Sequence, residues 1–195
     1  MIIIKTDENN FITSDEFENL QDQYKCKVEY NNGEIILHSD TSLTHNSIIS
    51  GIQSELRIFF RGSKCKSYTE QIEVIFKNST EEYKFKPDIF VMCEDAKTKG
   101  ESFISSPKII FEVVSKKYAQ EELASKTSQV DYITKLQVYQ KFGVLEYNIV
   151  EQNGHIVQYV LEDGIYGIKN TFHLGDIYTS TLFSDLKINL SYIYE

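Results

Sequence analysis

The segment IIFEVVS, Ile109 to Ser115, constrains this chain more than any other stretch. It is apolar and β-branched and reads as a buried strand, yet Glu112 stands in its middle, between Ile110 and Val114 on one face. An unpaired carboxylate taken out of water costs on the order of several kcal/mol. The strand therefore needs something to answer Glu112: a salt bridge, a strand end that reaches solvent, or a bound cation.

Asp88 raises the same question. In KPDIFVM it shares strand parity with Phe90 and Met92, and Pro87 before it fits a strand start or edge. Two neighbouring strands that each carry one acid near an end bring both carboxylates to one divalent cation. Oxygen ligands of this kind suit Mg2+ or Mn2+, and the backbone carbonyl of Val113 offers a further ligand. A metal held this way polarises a phosphoryl oxygen and lowers the pKa of its water, which is what phosphodiester hydrolysis needs. Salt-bridge partners for both acids account for them equally well.

Hydrolysis also calls for a cation against the charge that develops at phosphorus. Val114, two residues after Glu112, does not supply one. The helical pattern over Tyr118 to Gly143 does: Lys135 falls inside the apolar arc of Tyr132, Leu136, Val138, Tyr139 and Phe142. Its stem can cross that arc with the ammonium directed at the carboxylates, although a snorkelling core-edge lysine has the same pattern.

Upstream, TSDEFENL carries a helix start at Thr13 or Ser14, and CKVEYNNGEIILHS is a hairpin about Asn32-Gly33. That turn pairs Asn31 with Glu34, sets Glu29 opposite Ile36, and leaves Glu29 and Glu34 on one sheet face. Helical periodicity over Ser42 to Phe60 places Ile48, Ile49, Ile52 and Leu56 on one side, with His45 pointing the same way. Strands are expected over Lys66 to Phe76 and Phe85 to Cys93, a polar loop over Glu94 to Ser106, and three strands after Gly143. The order is α-β-β-α-β-β-β-α-β-β-β, an α/β chain (α+β, mixed sheet) in one domain over residues 1–195.

The acid-to-base balance, 29 against 20 with a net charge of −9, argues against a polybasic nucleic-acid binder. A local basic group remains at Arg57, Arg61, Lys64 and Lys66, with no acid between them. The start MIIIKTDENN is neither a signal peptide nor a membrane span, so a cytoplasmic protein with no membrane partner is expected. Cys26, Cys65 and Cys93, odd in number and without metal-ligand spacing, read as reduced structural residues.

These pieces together resemble the Uma-two family of restriction-endonuclease-like proteins, within the PD-(D/E)XK nuclease superfamily. VEYNNGE at Val28–Glu34, the His45-bearing helix, KPD at Lys86–Asp88, FEVVS at Phe111–Ser115 and KLQVYQKFGVLEYNIV at Lys135–Val150 carry the likeness in order. The resemblance implies a restriction-endonuclease-like core in which helices flank a central mixed sheet. It also implies Asp88 and Glu112 as metal ligands, a further glutamate at Glu29 or Glu34, and a lysine moved from the strand to the helix at Lys135. Val114 departs from the superfamily pattern, where lysine is usual. A Mg2+- or Mn2+-dependent DNA endonuclease is thus expected, with Arg57, Arg61, Lys64 and Lys66 meeting phosphates, and with a homodimer as the simplest way to cut both strands. A nuclease fold kept for binding or regulation, and a structural protein with a buried polar network, are the alternatives.

Overall fold

The computed structural model describes residues 2–4, 11–38, 41–114 and 130–194. The chain opens with β1 (Ile2–Ile4) and then α1 (Ser14–Leu20). Thr13 caps α1: its hydroxyl accepts from the Glu16 N–H while the Glu16 carboxylate accepts from the Thr13 N–H. The hairpin of β2 (Val28–Asn31) and β3 (Glu34–Leu37) turns on Asn32 and Gly33, both at positive φ (44° and 105°). That geometry suits the twist of the strands and sets the register Asn31 to Glu34 and Glu29 to Ile36.

Ser42 caps α2 (Leu43–Phe59), which buries Ile48, Ile49, Ile52 and Leu56. Next come β4 (Cys65–Thr69), β5 (Val74–Lys77), β6 (Glu82–Phe85) and β7 (Ile89–Cys93). Where the sequence reads two strands here, the structure has four. The chain turns after Thr69, with the Ile72 N–H donating to its carbonyl, and so leaves one sheet for another. Pro87, which lacks an N–H, separates β6 from β7. The polar loop contains two short strands, β8 (Thr98–Lys99) and β9 (Ser102–Phe103).

Then follow β10 (Ile109–Val114) and, after residues outside the described set, a π-helical segment (Val130–Lys135) that continues as α3 (Leu136–Lys141). Ser115 and most of the helix expected from Tyr118 onward lie outside the described residues. The remainder is β11 (Glu146–Glu151), β12 (Ile156–Glu162), β13 (Ile165–Phe172), β14 (Ile177–Thr179), β15 (Lys187–Asn189) and α4 (Leu190–Ile193).

Among the described residues the strands form a sheet in the order β1-β3-β2-β6-β5-β9-β8, a second in the order β13-β12-β11-β10-β7-β4, and a pair β14-β15. The second is mixed: β10 runs parallel to β11 and antiparallel to β7. The result is the mixed α/β fold expected. Strand β10 is covered on both sides. Ile109, Phe111 and Val113 pack in the core under α2, whereas Ile110 and Val114 pack with Phe85, Phe90, Tyr139 and Tyr147. Glu112 therefore points into the second, aromatic-rich layer.

The reduced state expected for all three cysteines is corrected. Cys65 and Cys93 are direct cross-strand partners in the β4–β7 register, their Cα atoms 3.9 Å apart, and they form a disulfide; Cys26 stays free. Their separation of 28 residues carried no signal, because only the register of two distant strands brings them together.

Candidate active site

Glu112 is 3% exposed and does have partners: the Lys135 ammonium at 3.0 Å and the Tyr139 hydroxyl, which donates to the same Oε1 at 2.7 Å. Lys135, 1% exposed, is the last residue of the π-helical segment, and Tyr139 lies one α-turn later on α3. The i, i+4 spacing sends both side chains to one carboxylate. The ammonium also sits 3.4 Å from Glu29 Oε2 and 5.6 Å from the centre of the Phe85 ring. Lys135 thus joins a strand of one sheet to a strand of the other. Burial, followed by the Glu112 charge, pushes the Tyr139 hydroxyl well above its ordinary value, so it stays a donor.

Asp88 immediately precedes β7. Continuing the antiparallel register Phe111–Ile89 by one residue sets it opposite Glu112 on the neighbouring strand. Its Oδ2 accepts from the Val113 N–H at 2.9 Å and lies 3.4 Å from His45 Nε2; its Oδ1 accepts from Lys27 at 3.0 Å. An extended residue presents its N–H and C=O to the same side of the strand. The Val113 carbonyl accordingly faces the side on which Pro87 has ended β7.

Glu29, with 0% exposure, completes the group. It accepts from the Lys86 N–H at 2.7 Å, faces His38 Nε2 at 2.8 Å, and stands 3.9 Å from Lys27. Burial raises both Glu29 and Asp88, but nearby cations outweigh it. Lys135, His38 and Lys27 hold Glu29 below the usual carboxylate range, and Lys27 and His45 do the same for Asp88. Burial works against a charged Lys27, and Asp88 and Glu29 more than offset it, raising its pKa. For His45, burial lowers the pKa and Asp88 more than restores it, leaving it raised. Glu29, Asp88 and Lys27 are thus kept charged in a largely buried space between the sheets, beside the Lys135–Glu112 pair.

The structure gathers Glu29, Asp88, Glu112, Lys135, Tyr139, His45 and the Val113 backbone. It sets Glu34 apart: that residue closes the hairpin by accepting from Asn31 Nδ2 at 3.2 Å. Arg57, Arg61 and Lys66 line a separate cleft beyond the far end of α2, with Lys64 paired to Glu94. Arg57 lies twelve residues along α2 from His45, on the order of 18 Å. Two members of the site gave no signal in the sequence, Lys27 and His38. Both follow from the hairpin, since its register continued past Val28–Leu37 makes them partners, and Lys27 shares the strand face of Glu29.

A family model described as "Uma2: Putative restriction endonuclease" matches residues 14–191, nearly the whole chain. The chain belongs to the Uma2 family. Of solved structures, one described as "a putative nuclease belonging to DUF820 from Anabaena variabilis ATCC 29413" is similar with a TM-score of 0.67, over 94% of this chain and 97% of that one. At 16% sequence identity that likeness speaks for the fold. No curated protein matches. The Uma2 model spans every residue of the charged group, from Lys27 on the hairpin to Tyr139 on α3.

Proposed function

We propose that this Uma2 chain is a divalent-metal-dependent nuclease that hydrolyses DNA phosphodiester bonds at the Asp88–Glu112–Lys135 group. The observation that carries the reading is the juxtaposition across β7 and β10. Two acids from unrelated segments stand opposite each other, Asp88 just ahead of β7 and Glu112 on β10, and the Val113 N–H ties the first to the strand of the second. A buried network with a purely structural purpose would have no need of three carboxylates from three strands.

The donors fit a hard cation. Asp88, Glu112 and the Val113 carbonyl offer only oxygen and would hold Mg2+ or Mn2+, leaving coordination positions for water and phosphate. Such an ion supplies a polarised phosphoryl oxygen and a more acidic water. The chain's own residues do the rest. Lys135 brings a fixed positive charge to the place where negative charge builds on the phosphoryl oxygens. Glu29 holds that ammonium from the opposite sheet, and the Tyr139 hydroxyl fixes which oxygen of Glu112 stays turned to Lys135. His45 and Lys27 keep Asp88 ionised and therefore able to bind a cation. A duplex has two strands to cut, so a homodimer with two such sites is part of the proposal.

Plasmid DNA incubated with the protein and Mg2+ or Mn2+ should be nicked or cut, with no cleavage in chelator and none by Glu112→Gln under either metal. Equal cleavage by Glu112→Gln would refute the assignment.

A further inference from the structure

Asp88 is offered to a cation, yet both of its oxygens already have partners. Oδ2 accepts from the Val113 N–H and faces His45 Nε2 at 3.4 Å, while Oδ1 has the Lys27 ammonium at 3.0 Å. The two lysines of the site are held differently. Lys135 is 1% exposed and clasped between Glu112 and Glu29, at 3.0 and 3.4 Å. Lys27 stands 3.0 Å from Asp88 and 3.9 Å from Glu29, its side chain is 17% exposed, and among the described residues it ion-pairs with no other acid. Its backbone is fixed at the foot of the β2–β3 hairpin, where its carbonyl accepts from the His38 N–H at 2.9 Å. A flexible four-carbon stem with an anchored base and a solvent-facing flank can swing its ammonium away without moving the strand.

We infer that Lys27 is an exchangeable counter-ion: its ammonium neutralises Asp88 in the metal-free protein, is displaced when a divalent cation binds, and then meets the phosphate that joins the cation. The inference rests on the metal-dependent reading of the Asp88–Glu112 pair. A divalent ion bound to Oδ1 at about 2.1 Å would lie about 4 Å from an ammonium that kept its place on the same oxygen. Two like charges, one of them double, repel strongly at that separation in a largely buried site. Removing the lysine with nothing in exchange is no better, because it leaves a buried carboxylate short of its nearest cation. Exchange satisfies Oδ1 in both states. It also keeps the lysine at the site: tethered by its stem, the ammonium stays within a side chain's length of the ion, where the oxygens of a phosphodiester accept charge-assisted hydrogen bonds. In a chain of net charge −9 this brings a cation to the substrate only when the metal is in place.

The first test needs only the wild-type full chain and Mn2+. Reductive methylation of lysines, read by peptide mass spectrometry, should modify Lys27 about tenfold faster in saturating Mn2+ than in chelator, since an ion-paired amine reacts only when it opens. Lys135 should resist in both. The second test is Lys27→Gln, its folding checked by circular dichroism. Mn2+ titrated by electron paramagnetic resonance should bind this variant about tenfold more tightly than wild type. A short duplex in Ca2+ should instead bind it more weakly, with the slope of log affinity against log salt smaller by about 0.9, the share of one phosphate contact. A residue that merely held the site together would lower both affinities, and Lys27→Arg, which restores the charge, should reverse both changes. Lys27 labelling unchanged by bound Mn2+, or Mn2+ affinity in Lys27→Gln at or below that of wild type, overturns the exchange. Tighter Mn2+ with unchanged duplex binding overturns the phosphate contact. Exchange in a protein that cleaves no DNA sinks the nuclease reading and leaves Lys27 as the counter-ion, whereas metal-dependent cleavage with Lys27 labelling unchanged does the reverse.

Discussion

At the scale of single residues the decisive fact is that Lys135 compensates two carboxylates at once. Lys135→Met should cut divalent-ion-dependent cleavage about a hundredfold, the usual loss when a stabilising charge is removed. It should also lower stability by about 3 kcal/mol, because Glu112 and Glu29 lose their shared cation in a buried place. Adding Glu112→Gln to Lys135→Met should restore the Glu112 share of that stability without restoring cleavage, and urea unfolding alongside plasmid assays separates the two effects. The depressed Asp88 and Glu29 and the raised His45 also set a pH window. The acids contribute stability above their ordinary values of 3.8 and 4.5, lost as pH falls through their lower folded values. His45 contributes below its ordinary 6.5, and that contribution is lost as pH rises through its higher folded value. The melting temperature should therefore be highest between about pH 4.5 and 6.5 as far as these groups decide it. The acid limb should flatten in Asp88→Asn and the upper limb in His45→Gln. Asp88, Glu112 and Lys135 were legible because each breaks a local apolar period. Glu70 sits in a polar turn and breaks no pattern, and only the fold brings its carboxylate within 4.8 Å of Asp88 and His45.

Elements whose shape is set by neighbouring residues were read well. The Asn32-Gly33 turn fixed its hairpin and both of its pairings, and Thr13 and Ser42 marked helix starts. Gly33→Ala should cost about 1–2 kcal/mol, since φ is 105° there and an added Cβ would lie 2.4 Å from Phe11 Cδ1. Because β2 and β3 deliver Lys27, Glu29 and His38, the same variant should lose cleavage beyond its loss of stability, seen by assay at a temperature where it remains folded. Elements decided by distant pairing were harder. Ile72 is as apolar as the strands around it, and alternation alone could not reveal that the chain changes sheets there. The short strands β8 and β9 exist because they pair with each other and with β5, a partner no window of that polar loop contains.

Over the whole molecule, acidity and the proposed DNA substrate pull in opposite directions. To act on a duplex as proposed, a chain of net charge −9 must bring its cations to the DNA locally. Arg57, Arg61 and Lys66, grouped about one cleft, are the candidates; Lys64, bound to Glu94, is a weaker one. Replacing those three by alanine should weaken DNA retention in a chelator-free, Ca2+-containing shift assay. It should also reduce the slope of log affinity against log salt by about 0.9 for each phosphate no longer neutralised. An unchanged slope would take this cleft out of the DNA path. That cleft borders Cys65, and the disulfide there bears on something farther away. Glu70 follows directly after β4, five residues beyond Cys65, and Asp88 directly precedes β7, five residues before Cys93. A covalent bond at one end of the ribbon therefore acts as a surveyor's benchmark for the other: a slip of the two strands past each other, which would move one acid out of line with its neighbour, is forbidden while the bond is intact.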